Sequence, residues 1–270
     1  MAESSAARVA AARAQVSEER LRRSISGAPP PLVLSGFDLI MELKLSAPSA
    51  GPLAPDDRIL ESQVLRYARA GAAAVSVLTE PERFGGTLAH LARAVEALKP
   101  ARVPAMRKDF LVDRYQLCEA RAAGAGGALI IVRMLKPKAL AAMADCASEL
   151  GLWILLEAFD AADVKRAIAC AAAWKGAPGQ LLIGINCRDL MTLEVRPERL
   201  YELAPLLPRE FPAVAESGLA STGDAERLAE SGYRAALIGT ALMTAADPEA
   251  LGRELLAAGR AARARVGDAA

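Results

Sequence analysis

A chain of 270 residues whose 33 Lys and Arg offset 32 Asp and Glu, for a formal net charge of +1, offers no basic field to nucleic acid and no acidic arm to a partner. Its apolar fraction of 53% can fill a large core, and its length suits one α/β barrel, which takes about 250 residues.

The first 38 residues read as a helical extension. The stretch MAESSAARVAAARAQVSEERLRR is broken by Arg8, Arg13, Glu18, Glu19 and Arg20, so neither a secretion signal nor a membrane span is expected. One helix stopping near Ser26 and Gly27, ahead of Pro29–Pro31, is predicted. From residue 39 onward, short Val/Ile/Leu runs alternate with longer Ala/Leu/Arg/Glu runs of helical period. The predicted strands are LIMELKL from Leu39, AAVSVLT from Ala73, VPAMRKD from Val103 and GALIIVR from Gly127, then LWILLEA from Leu152, LLIGIN from Leu181, PAVAES from Pro212 and AALIGT from Ala235. Helical stretches follow them, with Gly71 as a C-cap and Ser221–Thr222 as an N-cap. The repeat is roughly 25 to 35 residues, the size of a βα unit. Eight such units without a linker predict an α/β fold, a (β/α)₈ TIM barrel over residues 39–265 with an extra N-terminal helix in residues 1–38.

Active sites of such barrels lie at the C-terminal ends of the strands. Here those ends carry Glu42 and Lys44, Lys108 and Asp109, Glu157, Asn186 and Arg188, then Glu216 and Ser217. Any one of these could be a solvated charge or part of a stabilising network. Five strands ending this way together point to a site. Glu42 and Lys44 are two apart on a strand and share a face. Charges inside a barrel need partners, which Lys44 and Lys108 facing Glu42, Glu157 and Glu216 would supply. The seventh and eighth strands end in Ser217–Gly218 and Gly239–Thr240, where barrels commonly bind phosphate.

No cofactor is expected. There is no G-x-x-x-x-G-K-[ST], and Gly124–Gly127 follows a helix and precedes a strand, the wrong order for a dinucleotide site. No metal is expected either. Cys118, Cys146, Cys170 and Cys187 are scattered, and His90 is the single histidine, so ligands are too few for zinc. Buried free thiols in a reducing cytoplasm are the expectation, with His90 on a helix flank and no catalytic role.

The motifs E-L-K from Glu42, S-V-L-T-E from Ser76, F-G-G-T-L from Phe84, R-K-D-F from Arg107, Y-Q-L-C-E-A-R-A-A-G-A from Tyr115, L-L-E-A from Leu155, I-G-I-N-C-R-D-L from Ile183, A-E-S-G-L from Ala215 and I-G-T-A-L-M from Ile238 occur in an order and spacing that resemble the indole-3-glycerol-phosphate synthase family. The resemblance covers about residues 39–250. It implies a carboxy-lyase of tryptophan biosynthesis that needs neither metal nor cofactor. The substrate is 1-(2-carboxyphenylamino)-1-deoxyribulose 5-phosphate, which undergoes ring closure, decarboxylation and dehydration. Lys108 then looks like the general acid at ring closure and Glu157 like the base that relieves the cationic ring. Lys44, partnered by Glu42, would hold the carboxylate or act as acid in dehydration. Asn186, Glu216 and Arg188 would orient sugar and carboxylate. Ser217, Gly218, Gly239 and Thr240, with Ser49, would complete the substrate-binding set. The partner implied is a small phosphorylated molecule, with no nucleic acid and no membrane, on a monomer or weak homo-oligomer.

The chain departs from the family pattern at Ala47, where a serine is usual, at Ala158–Phe159, where the family has V-H, and at Cys187. These changes are expected near the substrate's ring and phosphate. Two other readings therefore stay open at this point: a paralogue acting on a substituted aryl-amino sugar phosphate, and a non-catalytic barrel.

Overall fold

In the computed structural model, which describes residues 1–47, 51–52, 59–177 and 179–267, all eight apolar runs form strands. They are β1 (Asp38–Leu43), β2 (Ala74–Leu78), β3 (Ala105–Lys108), β4 (Gly127–Ile131), β5 (Trp153–Ala158), β6 (Leu181–Asn186), β7 (Ala213–Glu216) and β8 (Ala235–Ile238). Every neighbouring pair is parallel, and β1 bonds to β8 as well as to β2, which closes the barrel. A strand buried on both faces has no polar alternation. What alternates here is the destination of its apolar side chains. Ile40, Met106, Leu129, Leu155, Leu182 and Val214 fill the barrel interior. Their neighbours Leu39, Met41, Ile130, Ile154, Ile183 and Ala215 pack outward against the helices.

The helices of the shell are α3 (Leu60–Ala70), α4 (Leu88–Leu98), α5 (Arg114–Ala122), α6 (Pro137–Glu149), α7 (Ala161–Ala172), α8 (Glu198–Leu203), α9 (Thr222–Glu230) and α10 (Pro248–Gly267). In α3, Leu60, Val64 and Tyr67 are buried on one stripe, each such side chain contributing about 1.5–3 kcal/mol of transfer free energy. Gly71 ends α3 at φ 96°, a left-handed cap that a residue with a Cβ adopts only at a cost. Ser221 caps α9 in a reciprocal box with Asp224. Among the described residues no helix is long and apolar enough to cross a membrane.

The N-terminal extension differs from the single helix predicted. It is two helices, α1 (Ala2–Gln15) and α2 (Glu18–Ser24). Ser17 is extended and its hydroxyl accepts the Arg20 N–H. With Glu18 and Glu19 in the next turn, it starts a new helix in place of continuing the old one.

Candidate active site

The strand ends converge on a cavity at the C-terminal mouth of the barrel. Glu42, Lys44, Lys108, Glu157, Asn186, Arg188 and Glu216 all line it, as do Ser217, Gly218, Gly239 and Thr240. Ser49 lies outside the described residues, and Ala47 is described only through its backbone, which pairs with Gly51.

Two ion-paired groups face each other across the mouth. Lys44 Nζ lies 3.4 Å from Glu42 Oε1 and donates to Thr240 Oγ1 at 3.1 Å. Lys108 Nζ sits between two carboxylates, 3.8 Å from Glu157 Oε2 and 3.6 Å from Glu216 Oε2. Both acids are almost fully buried. Asn186 Nδ2 donates to Glu157 Oε1 at 2.6 Å, while Asn186 Oδ1 accepts the Arg188 N–H and the Ser217 hydroxyl. One amide thus ties the base candidate to the loop after β7.

Two carboxylates and one ammonium leave this cluster with excess negative charge. Burial, reinforced by the neighbouring charge of Glu157, pushes the Glu216 carboxyl well above the ordinary range against the pull of Lys108. Burial alone would lower the Lys108 ammonium, but Glu157, Glu216 and Glu42 raise it above its usual value. The cluster thus favours the charged form of Lys108 and the protonated form of Glu216. Neither Glu216 oxygen has a hydrogen-bond partner, nor does Glu42 Oε2 or Glu157 Oε2. Of these, Glu157 Oε2 and Glu216 Oε2 have the Lys108 ammonium at ion-pair distance, but buried acceptors without hydrogen bonds remain costly.

Ser217 and Gly218 are both left-handed, at φ 69° and 78°. For a serine this is strained by about 1–3 kcal/mol. Gly239 also leaves space beside the first strand. A Cβ there would stand 2.6 Å from Glu42 Oε1, so its missing side chain makes room for the carboxylate.

The sequence reading missed the apolar wall. Phe84, Phe110, Leu129, Ile131 and Leu190 line one side of the cavity. Their only signal was apolar character, which core residues share. Of the departures, Ala158, Phe159 and Cys187 are buried and do not themselves line the cavity, although Phe159 shares the interior cluster of Phe110, Leu129 and Ile131 and Cys187 Sγ lies against Gly218. Ala158 and Cys187 face outward into the helix-packed core. Phe159, past the strand's end, lies under the Arg133 guanidinium. His90 does not line the cavity, and the four cysteines are free and buried.

A second missed element is the grip of α1 on the end of β3. Arg8 donates twice to Asp109, at 2.8 and 3.1 Å. Asp109 also accepts from Arg107, the Thr79 hydroxyl and the Phe110 N–H, and Arg107 reaches Glu119 at 3.0 Å. The Ser5 hydroxyl donates to the Phe110 carbonyl, and Met1 reaches the cavity wall. Arg8, Asp109, Arg107 and Glu119 form a neutral chain of alternating charge. Arg8→Ala leaves it with net negative charge around a buried carboxylate. The expected loss is about 1–3 kcal/mol, below that of a fully buried pair because the Arg8 side chain is 25% exposed. Burial opposes the Asp109 carboxylate, but the Arg8 hydrogen bonds and the charge of Arg107 hold it below its ordinary value. The contribution is therefore present above the unfolded pKa of about 3.9 and fades as pH falls through the lowered folded value. Urea unfolding of wild type and Arg8→Ala at pH 7 checks this; equal midpoints would show that Arg107 suffices.

The sequence model of the indole-3-glycerol phosphate synthase family matches residues 3–255. A protein of that name from Nocardioides sp. is 42% identical over 243 residues, covering 87% of this chain and 88% of the relative. Another, from Mycobacterium tuberculosis, is 39% identical over 258 residues, covering 93% and 90%. Among solved structures, 3-hexulose-6-phosphate synthase from Salmonella typhimurium superposes with a TM-score of 0.61 at 14% identity, over 82% of this chain and 98% of that one. At that identity the likeness concerns the fold alone.

Proposed function

The chain belongs to the indole-3-glycerol phosphate synthase family, carboxy-lyases of tryptophan biosynthesis, and on that premise we propose how its residues carry out the reaction. The observation that carries the proposal is Lys108 held between Glu157 and Glu216, opposite the Lys44–Glu42 pair. Phe84, Phe110, Leu129 and Ile131 supply an apolar wall for the aryl ring of 1-(2-carboxyphenylamino)-1-deoxyribulose 5-phosphate. The backbone and hydroxyls of Ser217, Gly218, Gly239 and Thr240 hold its phosphate, together with Ser49. Lys44, kept in place by Glu42, and Arg188 meet the carboxylate.

The ring carbon bearing the carboxylate attacks the ketone, forming a C–C bond as the carbonyl electrons move to oxygen. Lys108 donates its proton there. An alkoxide is basic enough to take it even from an ammonium with raised proton affinity. Carbon dioxide leaves and returns its bonding pair to the ring. The new hydroxyl, protonated by Lys44 or by the carboxyl of Glu216, departs as water. Glu157, oriented by Asn186, removes a proton from the methylene carbon beside the nitrogen, and that electron pair forms the ring C=C bond of the neutral indole, which keeps its N–H. In this reading residues 39–265 are the catalytic barrel and 1–38 a helical extension. The protein acts in the cytoplasm on a small phosphorylated molecule, as a monomer or weak homo-oligomer, with no nucleic acid and no membrane.

The test is to incubate purified protein with this substrate and follow indole fluorescence. Absence of product over the range of substrate concentrations would remove the reading. A companion measurement concerns the phosphate. Ala47→Ser is expected to tighten a phosphate-bearing ligand about ten- to a hundred-fold, the worth of one hydrogen bond to a charged group, roughly 1.5–3 kcal/mol. Equal affinities would mean that Ser46 or backbone groups already fill that role.

A further inference from the structure

Every inward position of a barrel strand at this depth should carry a side chain that fills the interior. On β6 the inward positions are Leu182, Gly184 and Asn186, and the middle one is empty. Gly184 lies beside Glu157 on β5 and Val214 on β7. Glu216 is paired with Asn186, two positions nearer the mouth. The Glu216 carboxylate does not rise into the opening. It lies back over Gly184, so that a Cβ there would stand 2.2 Å from Glu216 Oε1 and 3.1 Å from its carboxyl carbon. This posture brings Glu216 Oε2 within 3.6 Å of the Lys108 ammonium that Glu157 also approaches. The same device occurs at Gly239, whose missing side chain admits Glu42.

We infer that Gly184 is a positioning residue: the absence of its side chain sets where the Glu216 carboxyl lies, and so assembles the Glu157–Lys108–Glu216 cluster. Even a methyl at 184 turns Glu216 toward the mouth, away from Glu157 and Lys108. The inference rests on the reaction proposed above, through Glu216. A misplacement of this order typically costs up to about a hundred-fold in rate. Gly184→Ala should therefore lower kcat about ten- to a hundred-fold with a much smaller change in KM. Glu216 also loses burial and the neighbouring charge that raise its proton affinity, so its titration should move to lower pH.

The experiment has an arm that does not depend on turnover. Thermal unfolding is followed against pH for wild type, Glu216→Gln, Gly184→Ala and the Gly184→Ala/Glu216→Gln double variant. The glutamate and glutamine proteins diverge from the unfolded pKa upward, and the pH at which their difference stops growing reports the folded-state titration of Glu216. That pH should be lower when residue 184 is alanine, and the Glu216-dependent limb of the kcat–pH profile should move the same way. An unchanged levelling-off pH, or a rise in KM with kcat intact, overturns the inference. A wild type inert on the substrate removes the proposed reaction and leaves the titration arm standing. Should Gly184→Ala fail to fold, Gly184→Ala/Glu216→Asp, with its shorter acid, is expected to fold. Failure of both would assign the obstruction to Leu155 Cδ1, 3.0 Å from the added Cβ, and sink the proposal.

Discussion

Lys108→Ala is expected to lower turnover by about a hundred- to ten-thousand-fold, the usual contribution of a positioned acid, or roughly 2.7–5.5 kcal/mol of barrier. Its effect on stability should depend on pH. Lys108 is the cation between Glu157 and Glu216, and its loss leaves two buried carboxyls facing each other. They accommodate this by retaining a proton. The Glu216 carboxyl, already raised by burial and by Glu157, rises further. A carboxyl whose folded pKa exceeds its unfolded value of about 4.3 stabilises fully below that value, and the contribution is lost as pH climbs through the folded pKa. The variant should therefore lie near wild type in thermal unfolding at pH 5 and fall behind at pH 8. A purely structural buried ion pair would show about 3–5 kcal/mol of destabilisation with turnover per folded molecule retained. Near-normal turnover on the family substrate would remove Lys108 from the acid's role.

Glu157→Gln should be comparably damaging to turnover, about a hundred- to ten-thousand-fold, with little change in KM. Glutamine keeps the shape and still offers Asn186 an oxygen to replace the 2.6 Å acceptor Oε1, so substrate positioning persists while the base is gone. Removing that charge also removes one cause of the raised Glu216 carboxyl. Its titration should then fall toward the ordinary range, visible as a downward move of the stability–pH curve. Single-turnover kinetics separate binding from chemistry. A variant that binds weakly but reacts at wild-type rate once bound would make Glu157 a binding residue.

The sequence by itself determined the eight strands, because a strand buried on both faces must be a short uninterrupted apolar run, and the shell helices between those runs fix the βα repeat. It also determined which residues carry charge to the mouth, since Glu42, Lys108, Glu157 and Glu216 interrupt or end those runs where only a site or a partner repays the desolvation. Only the tertiary structure decided who meets whom. Strand period assigns a face, but barrel closure and register bring Lys108 to Glu157 and Glu216, and Lys44 to Thr240 across 196 residues. The apolar wall of Leu129 and Ile131 was invisible beforehand because an inward side chain lining a cavity has the same period as one filling the core. Ala158 and Cys187, each next to a residue that lines the cavity, themselves face the helices, one residue of alternation being enough to reverse a side chain. Gly184 and the Arg8–Asp109 grip were equally hidden. The first acts through space it leaves empty, the second through a contact 101 residues distant, and neither vacancy nor long-range pairing leaves a mark on local pattern.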